Sequence, residues 1–346
     1  MNSHGYWPRF CRLSLPVLLT ALSACATDRQ VIRQAADANR ELEPAILTDP
    51  ELAGYFEKLG ERIVTAAKAA SEAHEGPKSH FEEDNAWMFT NKEFHLVNSE
   101  TLNAFTTGGD HMYIYSELLE TCRSEDELAA VMAHEFAHVY CRHVHKGMNR
   151  QIAAAGLSAG AGLAGLAIGG EEKGAEYASL AAVSTSVATS FLNMGYTRDD
   201  EAEADEWGFV FYTRAGWDPA RFGDFFQQLI DKGLDTTPEL LSDHPSLASR
   251  VKAAHVRANE LPREAESWRR PPLADAQVFA ALQQRTARIA KTQKTSDQLA
   301  AAQTLLSAVP SCVLPVDQPE QKHAQRRLAE TVNRSEPQAK PAQRRR

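Results

Sequence analysis

The run His134-Glu135-Phe136-Ala137-His138 constrains this chain more than any other feature. Side chains four apart on an α-helix share a face, so both imidazoles can reach one metal ion while Glu135 lies beside them. The surroundings supply the helix. Leu128, Val131, Met132, Phe136 and Val139 recur at helical spacing, Ser124 followed by Glu127 reads as a capping box, and no proline interrupts 124 to 146.

A catalytic zinc takes three protein ligands and keeps a fourth position for water, so a third donor is required. A histidine six residues after His138 would stand at position 144, but Val144 is there, and His143 and His145 miss the register. The alternative is a carboxylate from a second helix, and Glu201-Ala202-Glu203-Ala204-Asp205 supplies it. Glu201 is expected to ligate. Asp205, one turn on, is expected to accept the free ring N–H of a ligand histidine and fix its tautomer, with Glu203 facing elsewhere. Taken alone, the acidic run over 199–206 would read as a solvated helix start favoured by the helix dipole.

Four pieces in this order resemble the gluzincin zinc metallopeptidases, the family of the CAAX prenyl protease, HtpX, BepA and LoiP. They are Asn103-Ala104-Phe105 with Gly108-Gly109 and Met112-Tyr113-Ile114-Tyr115, the His-Glu-Phe-Ala-His run, Glu201-x-x-x-Asp205, and His244-Pro245-Ser246 with Arg250. The resemblance spans roughly 49 to 261. It implies an α+β, mainly helical, zincin-like fold with a small edge-exposed β-sheet packed on the active-site helices. It also implies one Zn2+ per chain held by His134, His138 and Glu201, and a zinc endopeptidase with Glu135 as general base. Asp110 and His111 stand where many relatives have smaller or apolar residues, which bears on substrate preference.

Within that frame Asn103, Ala104 and Phe105 form the substrate edge strand, which pairs an extended peptide through main-chain hydrogen bonds. Gly108-Gly109 is then a turn, or a place of close backbone approach. His244 carries three readings: a donor to the developing oxyanion, an occupant of the open zinc position, or a residue at a helix start with Arg250 as its packing partner.

The first residues address the chain. Arg9 and Arg12 precede the apolar stretch 13–22, and Leu22-Ser23-Ala24-Cys25 resembles a bacterial lipobox. Cleavage before Cys25 and its lipidation would anchor the mature chain to a membrane, and Ala26, in place of an aspartate retention signal, favours the periplasmic face of the outer membrane. Cys122, Cys141 and Cys312 then lie in a compartment that permits disulfides. Cys312 bridges one of the others, or all three are buried thiols.

The 346 residues and 43% apolar content suffice for a full core, and the net charge of −9 argues against general nucleic-acid binding. The expected division is a signal peptide over 1–24, an anchor segment over 25–48, the metallopeptidase over 49–261, a helical extension over 262–309 and a disordered basic tail over 310–346. Strands are expected at 87–89, 94–97 and 112–115. The Ala/Gly/Ser-rich stretch 152–194 reads as a helical hairpin over the cleft or against a lipid surface, too short and weakly apolar to span a bilayer.

The resulting expectation is an envelope endopeptidase whose partners are unfolded or misassembled polypeptides, with outer-membrane assembly machinery as a further partner. The rival is a chaperone or assembly factor whose zinc site is structural or plugged. A small-molecule zinc hydrolase is disfavoured, because an exposed strand suits extended chains.

Overall fold

A computed structural model describes residues 28–74, 86–159, 195–235, 245–313 and 319–335. The N-terminal half supplies α1 (Asp28–Leu42), α2 (Pro50–Glu72), strands β1 (Glu93–Val97), β2 (Ala104–Thr106) and β3 (His111–Tyr115), α3 (Ser116–Thr121) and α4 (Glu125–Tyr140). Then follow α5 (His143–Ala159), α6 (Arg198–Ala215), α7 (Asp224–Asp231), α8 (Leu247–Glu260), α9 (Ala276–Thr292), α10 (Asp297–Ala308) and α11 (Pro319–Ser335). The fold is mainly helical with one small open sheet of order β1-β3-β2, in which β1 runs parallel and β2 antiparallel to β3. Among the described residues no helix is long and apolar enough to cross a membrane.

The histidine run lies on α4, which is buried along nearly its whole length and packs on α2, α6 and β2. A helix apolar all round belongs in a core, and here its few polar residues carry the chemistry. Its start is held differently from the expected capping box. Ser124 makes no side-chain cap; Glu127 instead accepts from the backbone N–H and the Nε of Arg123, at 2.6 and 2.7 Å. Glu125 adds a buried tie, accepting from Trp217 Nε1 at 3.0 Å and from the backbone N–H groups of Leu273 and Ala274 at 2.8 and 2.6 Å. A desolvated carboxylate with several donors fixes the helix end against α6 and the C-terminal extension.

Helix α6 has the local signals its sequence lacks in hydrophobic pattern. Thr197 and Asp200 form a true capping box, and Gly216 ends the helix at φ +100°. Its approach to α4 depends on Gly208, where a Cβ would stand 3.0 Å from both the backbone N and the Cα of His134. A larger residue there would push the two helices apart.

Three local expectations are corrected. Residues 86–89 form a 3-10 turn rather than a strand, with Met88 buried and Trp87 donating to Asp28. The strand at 104–106 is an edge by pairing but not by exposure, since Ala104, Phe105 and Thr106 are all buried. The basic tail is not uniformly disordered: Ser311, Cys312 and Val313 are buried, and α11 packs on α10 through Ala324 and Leu328. Small apolar residues spaced along an otherwise polar helix are enough to seat it once α10 offers a face.

Candidate metal centre

Residues four apart on α4 and four apart on α6 face one another across the helix contact. His134 Nε2 lies 3.4 Å from Glu201 Oε2, His138 Nε2 lies 3.7 Å from Glu201 Oε1, and the two Nε2 atoms are 3.0 Å apart. For ligands held tetrahedrally around zinc at their usual bond lengths, donor separations of about 3.4 Å are expected. The three side chains are fully or almost fully buried.

Hydrogen bonds around this cluster decide which ring nitrogens are bare. Asp205 can only accept, so His134 donates its Nδ1–H to Asp205 Oδ1 at 2.9 Å, leaving Nε2 with a lone pair. Arg250 grips the same carboxylate with Nε at 2.8 Å and a terminal nitrogen at 2.6 Å, lying over the Phe226 ring. On the other side, His143 Nε2 donates to Glu203 Oε2 at 3.0 Å, so its Nδ1 accepts from His138 Nδ1 at 2.8 Å. His138 Nε2 is thereby bare as well. Nitrogens facing each other at 3.0 Å need a positive centre between them, either a shared proton or a metal cation.

The electrostatics agree. Burial lifts Glu135 to about 8, with the Glu201 charge acting in the same direction. Burial also presses Asp205 upward, but the Arg250 charge and the His134 hydrogen bond override it and hold the carboxyl at about 2. For His134, burial and Arg250 push down, yet the bonds to Asp205 and Glu201 prevail and hold it at about 9, so without a metal the Nε2 lone pair takes up a proton, which zinc would displace. Burial drives His138 well below its ordinary value, consistent with a neutral ring. Glu135, Glu201 and Asp205 are three buried carboxyl groups, with the Arg250 guanidinium clamped on Asp205, and a divalent cation would take the place of the protons that His134 and Glu135 otherwise hold. The donor set and its surroundings therefore fit zinc.

Of the residues singled out from sequence, His134, Glu135, His138, Glu201, Asp205 and Arg250 converge here. Asn103 does so at one remove: it is fully buried, accepts from the Ala104 N–H at 2.9 Å and donates to the Pro310 carbonyl at 3.4 Å. Phe105 stacks on Tyr113, with centroids 4.8 Å apart. Cys25, His244 and most of 152–194 lie outside the described residues. The cysteines at 122, 141 and 312 are free, buried thiols.

Contributors of three kinds escaped sequence reasoning: the pair His143 and Glu203, then Tyr196, then Cys312. His143, set aside because it cannot ligate in register, orients His138 instead, and Glu203, expected to face elsewhere, anchors His143 together with Lys146 Nζ at 2.8 Å. Tyr196 stacks on His138 at 3.9 Å between centroids, with its buried hydroxyl making no hydrogen bond among the described residues. The third is Cys312. The surplus histidines after His138 were the one available signal, since a helical ligand needs an outer partner about a turn away.

Comparison with known sequences agrees with this geometry. The profile of Peptidase family M48 matches residues 79–258. The Beta-barrel assembly-enhancing protease of Escherichia coli K12 is 30% identical over 219 residues, 62% of this chain and 41% of that protein. The mitochondrial metalloendopeptidase OMA1 of Saccharomyces cerevisiae is 30% identical over 169 residues, 46% of this chain and 45% of that protein. The metalloprotease LoiP of Escherichia coli is 25% identical over 164 residues, 47% of this chain and 61% of that protein. This chain thus spans about four-tenths of the length of the assembly-enhancing protease. With its match over residues 79–258, the chain belongs to peptidase family M48.

Proposed function

We propose that this protein is a zinc-dependent endopeptidase of the bacterial cell envelope, hydrolysing peptide bonds in misfolded or misassembled polypeptides. The observation that carries the reading is the pair of Nε2 atoms of His134 and His138, 3.0 Å apart and flanked by Glu201, with the buried carboxyl of Glu135 on the same helix. His134, His138 and Glu201 would hold the metal. Zinc, when bound, supplies a Lewis acid that makes water nucleophilic at neutral pH and polarises a carbonyl. Glu135 takes the proton from the attacking water and delivers it to the leaving amine, a role helped by a carboxyl whose pKa burial has lifted toward neutrality. Asp205 and Arg250 hold His134, and His143 with Glu203 holds His138. From its sequence position, His244 is assigned to the developing oxyanion or to the metal.

Envelope substrates are inferred from the relatives named for enhancing β-barrel assembly, and lipidation at Cys25 on the periplasmic side of the outer membrane from the lipobox. Contact with the outer-membrane assembly machinery follows from the same names. Glu135→Gln is expected to abolish cleavage of an unfolded polypeptide such as casein while one zinc per chain is retained. Undiminished cleavage by that variant would refute the assignment.

A second reading, a chaperone or assembly factor with a plugged site, is favoured by one observation: the buried Cys312 at the metal ligands. If Glu135→Gln complements an envelope-stress phenotype as well as wild type does, binding rather than hydrolysis is the physiological role.

A further inference from the structure

The described residues contain a fourth donor at the metal centre, and it comes from the far end of the chain. One donor atom from each of His134, His138, Glu201 and Cys312 lies within 4.8 Å of the other three, and all four residues are buried. A closed set of four, with a thiolate among them, is what a structural or blocked zinc site presents, whereas a hydrolytic site leaves one position to water.

The cysteine does not reach the cluster by chance packing of a loose end. Arg250, whose other nitrogens clamp Asp205, donates to the Cys312 carbonyl at 2.6 Å, so one guanidinium ties the partner of His134 to the C-terminal segment. Ser311 Oγ accepts from the Val313 N–H at 3.2 Å and turns the backbone around the cysteine. Asn103 holds the Pro310 carbonyl at 3.4 Å, and Tyr115 donates to the Leu306 carbonyl at 2.7 Å just upstream. Asn103 directly precedes β2 and Tyr115 ends β3, so the C-terminal segment is tied beside the strand that would receive substrate. A second pointer to a ligand is Glu135, buried beside the cluster with neither carboxyl oxygen finding a hydrogen-bond partner among the described residues.

We propose that Cys312 is the fourth ligand of the metal, so that the segment around it shuts the site and withholds the position that water and substrate need. This rests on the zinc site proposed above. On binding, the S–H bond breaks, the proton passes to solvent and a sulfur–metal bond forms; no oxidant or reductant is involved. The blocked state is reversible, because displacing one thiolate restores the open position with His134, His138 and Glu201 still in place. Closure thus makes the protein a latent peptidase whose C-terminal segment must leave before an extended chain can enter.

The test uses the full chain loaded with Co2+, whose sulfur-to-cobalt charge-transfer absorption reports a thiolate ligand. Wild type is expected to bind one cobalt with that absorption. Cys312→Ser should keep the cobalt and lose the absorption, and Cys141→Ser should keep both, which sets aside the buried Cys141-His143-Glu203 group. X-ray absorption of the zinc-loaded wild type should show one sulfur at about 2.3 Å and needs no variant. Cleavage of casein should rise about tenfold or more in Cys312→Ser, because the competent fraction is no longer limited by closure. Metal-loaded wild type without a sulfur ligand would overturn the latch and leave the zinc site standing. Failure of wild type to load, or unchanged loading in His138→Ala, would instead remove the zinc site and the latch with it.

Discussion

Two groups of histidine and glutamate in this molecule have similar donors and different organisation. On the sheet, His95 Nε2 and His111 Nδ1 are 3.0 Å apart, and Glu93 Oε2 is 3.4 and 3.3 Å from them. The rings stack at 5.2 Å, and Glu93 is well exposed. At the helix contact, the corresponding distances among His134, His138 and Glu201 are nearly the same. What separates them is the outer layer. His134 and His138 each donate an Nδ1 proton to a buried acceptor behind the ring, which turns both Nε2 atoms toward the buried Glu201; the sheet imidazoles instead meet through Nε2 of one and Nδ1 of the other, beside an exposed carboxylate. Proximity of ligand-type side chains therefore does not make a metal centre. Acceptors behind the rings do, because they fix the tautomer and leave the lone pairs converging.

The sharpest break of this comparison is metal stoichiometry. His138→Ala or Glu201→Ala should leave the protein without stoichiometric zinc by elemental analysis, whereas His95→Ala with His111→Ala should still carry one zinc per chain. Zinc following the sheet histidines would reverse the assignment. A smaller effect sharpens the role of the outer layer: Asp205→Asn and His143→Phe should each weaken zinc about 10–100-fold in competition with a chelator, while Glu93→Gln should not change it. Equal affinities across all three variants would mean that the outer acceptors do not matter.

The smallest expected effect concerns the sheet. Burial, with the His111 charge in the same direction, lowers His95 from 6.5 to about 4. The folded state thus prefers the neutral ring, so this contribution to stability is complete above about pH 6.5 and is lost as the pH falls toward 4. His95→Gln should flatten that part of the stability curve by about 2 kcal/mol, measured by urea unfolding at pH 7 and pH 4.5. A variant with the same pH slope as wild type would show that Glu93 offsets the burial.

Much of the centre was readable along the chain because its logic is local. Two histidines and a glutamate within one helical turn, and a glutamate and an aspartate within another, specify faces whatever surrounds them. Some helix starts are set locally, by a side chain that caps its own backbone, as Thr197 does; the start at Ser124 was misread because its place is taken by the pairing of Arg123 with Glu127. Residues 86–89 went the same way. Their apolar run suited a strand, but among the described residues no strand pairs with them, and they form a 3-10 turn with Met88 in the core.

By itself the sequence determined the helix faces, the candidate ligands and the small sheet, since periodicity and spacing act within a turn or a strand. Tertiary structure alone decided which nitrogens are bare, how close α6 comes to α4 at Gly208, and that Cys312 lies 111 positions beyond Glu201 in the chain and yet beside it in space. The reason is physical. Tautomer, burial and a fourth ligand are properties of neighbours brought together across long loops, and nothing in the local pattern around 312 marks which surface that cysteine will meet.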